Sequence, residues 1–520
     1  MAPPSFPRFP RPKRVRVLST RAALLIPRRH CFYQSFEYST TSRLWMSTHD
    51  HLVTYSPGRF LYNEQTRLAE RYVEFDISAL KHEISKSVVG HGPVKNLTKL
   101  SEGGFNHILL ATMKDGFRAI VKIPYWIAVP RKYATPSEVA TLTFLRWKGI
   151  PVPEVYGCRY SLVREYKVPE KELVTGIVDV EKKLFEIRFG AVGSLYLKRD
   201  LPAHLQGPLY EPGAPDKDGD SETYCEAKWT TKFGKPMESP FPHNTIFPGL
   251  RSPSESLELL EKYSQIAPYL LPKGGNNLSR PILRHPDLTP SNVFIDPASF
   301  KVKSIIDWQH TCITPLLLTA GYPRLFENPD AEYPTGLVPP KLPANHDTLD
   351  SEEKAQVDEL IRRQSFFYLY RVFNGGLNKV HLEALRDPLL LQRQGLVELA
   401  GWQWDGDIIF LRGALMRMRE LRPYLVGSDT SVECPIEFSE VEVSDQAEKE
   451  EMWYKLNQLV AHWREELGKI SEEGWIPAEK YEAAVKRNKE LKAEFADGGS
   501  PDEIQKIERG RPFKDRAEFY

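Results

Sequence analysis

Cysteine is scarce. The five present (Cys31, Cys158, Cys225, Cys312 and Cys434) are odd in number, scattered, and contain no C-x-x-C pair. That speaks against a disulfide framework or a cysteine zinc site and fits free thiols in a reducing compartment. Long apolar runs are lacking too. The best candidates, 315–320 and 388–391, fall far short of the ~20 residues that cross a bilayer, so no transmembrane segment is expected. No charge of one sign dominates: 70 Lys+Arg against 69 Asp+Glu leave +1, which gives no argument for nucleic acid as a partner.

The imbalance that exists is local. Residues 1–36 contain no acid at all, while Arg8, Arg11, Lys13, Arg14, Arg16, Arg21, Arg28 and Arg29 alternate with Val15, Val17, Leu18, Leu24, Leu25 and Ile26. Serines and threonines follow as far as Ser47. Arg-rich, Ser-rich and acid-poor is the composition of a mitochondrial presequence, and Leu18–Ile26 is long enough for one short basic amphipathic helix. Residues 1–46 are therefore expected to be a disordered presequence and the protein mitochondrial. A basic tail without an address, or a start at Met46, is the alternative.

A chain of 520 residues that is 41% hydrophobic can build a large two-lobed enzyme with tails. Helical spacing is read over 63–74, 137–148, 178–189 and 254–269, and 351–520 is mostly helical, with charged amphipathic stretches at 454–466 and 479–494. Between Leu97 and Pro124 the pattern is β. A lead-in at 97–101 enters Glu102-Gly103-Gly104-Phe105-Asn106-His107, and two strands follow, joined by a hairpin at Lys114-Asp115-Gly116. Residues 202–249, rich in Pro, Gly and charge, read as a long loop.

Lys122 ends a strand whose other residues, Ala119, Ile120, Val121 and Ile123, are apolar. A lysine among buried neighbours needs a compensating anion; the bland reading is a strand-edge residue that snorkels to water. Glu138, on the next helix, stands at about the separation at which kinases place the carboxylate that pairs with their strand lysine. The decisive segment is His285-Pro-Asp287-Leu-Thr-Pro-Ser-Asn292. Phosphoryl transfer needs metal ions held still and a hydroxyl oriented for in-line attack. A loop aspartate can orient the hydroxyl, and an asparagine five residues on can offer magnesium an amide oxygen. A second acid must come from a neighbouring turn. Asp307, at the exit of the hairpin in Ile305-Ile306-Asp307-Trp308, is that acid.

These residues resemble the aminoglycoside phosphotransferase and choline kinase family, with its H-x-D-x-x-x-x-N loop and I-D-W metal acid. The wider chain is similar to the fungal altered-inheritance-of-mitochondria group. Ser56–Glu64, Leu100–Asn106, Thr135–Thr141, Gly149–Gly157 and Gly193–Tyr196 carry that similarity. The resemblance implies an α+β, protein-kinase-like fold of two lobes, a small antiparallel β N-lobe and a larger, mainly helical C-lobe. It implies ATP or GTP as co-substrate, Mg2+ as cofactor and a small-molecule hydroxyl as acceptor. Asp287 would be the catalytic base, Asn292 and Asp307 the metal ligands, Lys122 a phosphate contact and Glu138 its positioner. Gly103 and Gly104 would let the backbone approach the phosphates, and His285 would prop the loop.

The domains expected are a presequence at 1–46, an N-lobe at 56–157, a linker at 158–200, a loop-rich insertion at 201–253, a C-lobe at 254–430 and a charged helical extension at 431–520. The linker departs from the family pattern: between Tyr156 and Leu184 the chain is too short for the usual hinge strand and long helix. A pseudokinase or mitochondrial scaffold with protein partners is the rival reading. A metal-dependent hydrolase using Asp287 and Asp307 ranks last, for want of a histidine cluster.

Overall fold

The computed structural model describes residues 52–515, apart from 74, 105, 126–130, 157–169, 212–223, 228–252, 273–275, 297, 331–335, 402–407, 422–423, 426–434, 472 and 497–511. The expected presequence, the expected hinge stretch ahead of Glu170 and most of the expected 202–249 loop lie outside the described residues.

The chain enters through strand β1, Gly58–Phe60, and helices α1, Glu64–Glu70, and α2, Ile77–Ser87. An antiparallel sheet follows, in the order β2 (Val94–Glu102), β3 (Asn106–Met113), β4 (Arg118–Pro124). In β3 the residues His107, Leu109, Ala111 and Met113 are buried and their neighbours half-buried, the period-two pattern of a strand with one face on a core. Leu80 and Ile84 of α2 close that core, and Asp76 caps α2 by accepting from the Ser78 and Ala79 backbone N–H groups. The expected lead-in at 97–101 is thus part of a third strand. Its signal is weak because Leu97 alone is buried along it.

Helix α3, Arg131–Trp147, carries Glu138 beneath the sheet and starts six residues earlier than the periodicity predicts. Pro136 lies inside this helix, at its sixth residue, where it forgoes one backbone hydrogen bond. Helix α4, Glu170–Glu186, likewise begins eight residues before its expected start. A small sheet of order β5-β7-β6 comes next (β5 Leu195–Leu197, β6 Gln206–Gly207, β7 Tyr224–Ala227), so the loop-rich stretch contributes two strands.

After α5, Pro253–Ile266, two antiparallel pairs interlock: β8 (Pro281–Leu283) with β11 (Ile313–Pro315), and β9 (Val293–Ile295) with β10 (Val302–Ile305). Helices α6 (Leu316–Thr319), α7 (Ser351–Leu377), α8 (Lys379–Leu385), α9 (Leu390–Gly401) and α10 (Ile409–Glu420) complete the larger lobe. Its core runs from Leu142 and Phe144 of α3 through α4 to Trp308, Phe326 and Tyr370. α7 starts at a capping box made by Asp350 and Glu353. The architecture is the two-lobed α+β kinase-like fold, a small β lobe on a larger helical one. Among the described residues no helix is long and apolar enough to cross a membrane.

The C-terminal extension is not a loose tail. Helices α11, Glu440–Glu466, and α12, Tyr481–Ala496, enclose a core of their own that takes in Tyr62. Between them β12, Trp475–Pro477, pairs antiparallel with β1, in the register Gly58↔Pro477, Arg59↔Ile476, Phe60↔Trp475. Arg71 reaches Glu473 at 2.5 Å, and the Asn63 N–H donates to Asp515 Oδ1 at 2.5 Å. A Cβ on Gly58 would collide with the Ile476 carbonyl and the Trp475 ring. Gly58→Ala is therefore expected to destabilise the protein by about 1–3 kcal/mol, the range for overpacking, read as a lower urea midpoint. An unchanged midpoint would mean that the strand pair is not closely packed.

Candidate active site

Strand β8 leads into the loop His285–Asn292, and the β9–β10 hairpin then returns the chain to Asp307 beside it. His285 holds the two ends together. Its Nδ1 accepts from the Asp287 backbone N–H at 3.1 Å, which leaves the proton on Nε2, and Nε2 donates to the Ile306 carbonyl at 2.8 Å. The Ile306 N–H donates to the Asn292 carbonyl at 2.9 Å. Both backbone groups of Ile306 are thus held by the loop, and Asp307 is the next residue along. Trp308, buried, meets His285 edge-on at 4.6 Å between centroids and donates from Nε1 to the Ile305 carbonyl. Asp307 itself has φ 64°, a left-handed conformation that Asp and Asn adopt more readily than most residues.

Burial pushes the pKa of His285 down to about 4. The folded value lies below the ordinary value near 6.5, so between the two the unfolded chain binds more protons. Its contribution is complete above pH 6.5 and is lost as the pH falls toward 4. At pH 5 this one group is expected to remove roughly 2 kcal/mol of stability. His285→Gln should flatten the pH 5–7.5 dependence of the denaturation midpoint; an identical slope in the variant would refute the assignment.

Lys122 faces the loop from the other lobe. Its Nζ lies 2.9 and 3.1 Å from the two carboxylate oxygens of Glu138 and 2.9 Å from Asp307 Oδ1. The Lys122 and Glu138 side chains are 9% and 7% exposed, that of Asp307 44%. Burial by itself would depress the ammonium's pKa, but the Glu138 and Asp307 carboxylates outweigh it and the pKa is raised. The snorkelling alternative for Lys122 therefore fails.

Asn292 is buried and donates from Nδ2 to the Asp287 carbonyl at 2.8 Å, so its side-chain oxygen is the atom left to face a cation. Asp287 Oδ1 is shielded from solvent and, among the described residues, takes no hydrogen bond. Beside Gly103 and Gly104 there is open space, and neither has a positive φ. Among the described residues no group of three or more His, Cys, Asp or Glu could hold a metal ion. The oxygens of Asn292 and Asp307 are nonetheless the hard donors that magnesium accepts, with phosphate oxygens and water to complete the shell. The donor set fits.

Three features escaped the sequence reading. Asn106 Nδ2 donates to Gln309 Oε1 at 3.1 Å, joining the glycine turn of one lobe to the Asp307 turn of the other. Arg284 donates from Nε to Glu181 Oε1 at 3.0 Å and from its terminal nitrogens to the Thr319 and Gly321 carbonyls, while the Tyr370 hydroxyl donates to Glu181 Oε2 at 2.5 Å. Arg324 places Nε 3.6 Å from Asp287 Oδ1. None has a local signal: each partner lies at least 30 residues away in sequence.

No protein-family model matches the chain. A subtelomeric hrmA-associated cluster protein of Aspergillus fumigatus is 30% identical over 501 residues, spanning 81% of this chain and 97% of that protein. The chain belongs to this family. Altered inheritance of mitochondria protein 9, mitochondrial, of Clavispora lusitaniae is 24% identical over 79% of each chain, and that of Debaryomyces hansenii 20% identical over 75% of this chain and 73% of its own. The resemblance to the altered-inheritance-of-mitochondria group is thus borne out, and with it the mitochondrial localisation expected from the N-terminal composition. Among solved structures, a macrolide 2'-phosphotransferase from Brachybacterium faecium is similar at a TM-score of 0.25, with 11% identity over 60% of this chain and 99% of that one.

Proposed function

We propose that this family member transfers the γ-phosphoryl group of ATP or GTP to the hydroxyl of a small molecule. One observation carries the reading: the Lys122 ammonium bridges Glu138 of its own lobe and Asp307 of the other, where the Asp287–Asn292 loop is tied down. Asp287 accepts the acceptor's hydroxyl proton and aims its oxygen. The new bond forms from that oxygen to phosphorus. The bond to the β–γ bridging oxygen breaks, and its electron pair leaves on the nucleoside diphosphate. Lys122, positioned by Glu138, contacts phosphate oxygens, and the backbone at Gly103 and Gly104 approaches them closely. Asn292 and Asp307 would hold magnesium, which when bound neutralises the charge of the phosphates.

In a thermal-shift titration of the full chain, saturating Mg·ATP is expected to stabilise the protein, by about 2.7 kcal/mol at one hundred times Kd. Asp307→Asn should abolish the magnesium dependence. The rival reading, a pseudokinase scaffold in mitochondrial inheritance, draws on the exposed Val441, Val443, Met452 and Tyr454 along α11. It predicts no shift with Mg·ATP.

A further inference from the structure

A cavity of about 170 Å³ opens beside the catalytic loop. Ile177 and Val180 of α4, with Leu288 and Trp308, wall it with apolar surface, and Asp287 and Arg324 both line it. An apolar cavity of about 150 Å³ holds one benzene ring, so the space suits the compact body of a small acceptor, with any anionic group left at the mouth beside Arg324.

The charges around it differ in how far they are committed. Glu181 is compensated by Arg284 and by the Tyr370 hydroxyl. Asp287 is reserved for the reacting hydroxyl. Glu327 is exposed. Arg324 is only loosely committed: its side chain is 70% exposed, it forms an ion pair with Asp287 at 3.6 Å from Nε to Oδ1, and among the described residues its terminal nitrogens make no hydrogen bond. Its backbone is nevertheless fixed. Leu325 donates its N–H to the Leu288 carbonyl at 3.3 Å, and Phe326 is fully buried, so the side chain starts from a point anchored next to the catalytic loop. An ammonium-bearing acceptor would meet like charge here. A carboxylate or phosphate would meet a planar fork of donors.

We infer that the acceptor is a small hydroxylated anion, its carboxylate or phosphate held by Arg324 while its hydroxyl faces Asp287 in this cavity. The assignment rests on the phosphotransferase reading and names its substrate class. The guanidinium would also screen the acceptor's negative charge from Asp287, which an all-acidic mouth could not do.

The test is ATP consumption by the full chain with glycerate, glycerol 3-phosphate, glycerol and choline, each at millimolar excess, for the native protein and Arg324→Gln. Turnover is expected with one or both anions, glycerate alone marking a carboxylate site and glycerol 3-phosphate alone a phosphate site. Loss of the charge-assisted fork should raise the anion's KM about tenfold or more while moving kcat far less. Turnover confined to glycerol or choline would overturn the inference. So would turnover with neither anion although Mg·ATP still stabilises the protein, or an unchanged KM in the glutamine variant. Failure of Mg·ATP to bind sinks the phosphotransferase reading itself, and this inference with it.

Discussion

Asp287→Ala is expected to lower kcat for phosphoryl transfer by roughly 10²–10⁴-fold, the usual worth of a positioned general base. Mg·ATP should still stabilise the variant. The separation follows from geometry: Asn292 holds Asp287 through the backbone carbonyl, which the substitution leaves in place. His285 likewise binds the Asp287 backbone N–H, so the loop keeps its course when the carboxylate is removed. Steady-state turnover beside a thermal-shift titration reads the two effects apart. Equal turnover in native and variant protein would remove the enzyme reading. Loss of nucleotide stabilisation in the variant would show that Asp287 holds the loop and not only the hydroxyl.

The largest effect on stability is expected at Glu181. Removing it leaves the largely buried Arg284 guanidinium with carbonyl partners and no anion, and takes away the shorter of the two hydrogen bonds of the Tyr370 hydroxyl, leaving His381 Nδ1 at 3.4 Å. Breaking a buried pair from one side costs about 3–5 kcal/mol, because the surviving charge is uncompensated. Glu181→Ala should therefore lower the denaturant midpoint sharply. A double change, Glu181→Leu with Arg284→Met, should recover much of the loss, since no charge then remains buried. A double variant no more stable than Glu181→Ala would refute this account of the pair. Arg284 also precedes His285, so the single variant should slow turnover at temperatures where it is still folded.

The residues of the candidate site were far more legible in the sequence than their bracing. Lys122 could be read because four apolar neighbours made a charge there anomalous, and Glu138 because one helix follows one strand. Asp287, Asn292 and Asp307 lie within 21 residues of each other, joined by a single hairpin, so spacing alone brings them close. What failed was whatever depended on distant chain. Glu181 stands on a helix whose charged first turn, with Glu170 and Glu172, hides the apolar Val174, Ile177 and Val178 that follow, and nothing local marks it as a buried partner. Arg324 had no pattern around it, and Asn106 gave no hint of Gln309, 203 residues on. The three-residue strand Trp475–Pro477 is too short for any alternation to show.

The pairing of β1 with β12 sets an order on biosynthesis. Domains generally fold from the N-terminus as the nascent chain emerges, but here residues near position 58 must wait for residues near 476. Ser56 donates from its N–H and its hydroxyl to Glu102, the residue just ahead of Gly103, so the segment that waits for residues near 476 also braces the glycine turn. A premature stop just ahead of codon 475 would spare Lys122, Glu138, Asp287, Asn292 and Asp307 and still leave the first lobe without its clasp.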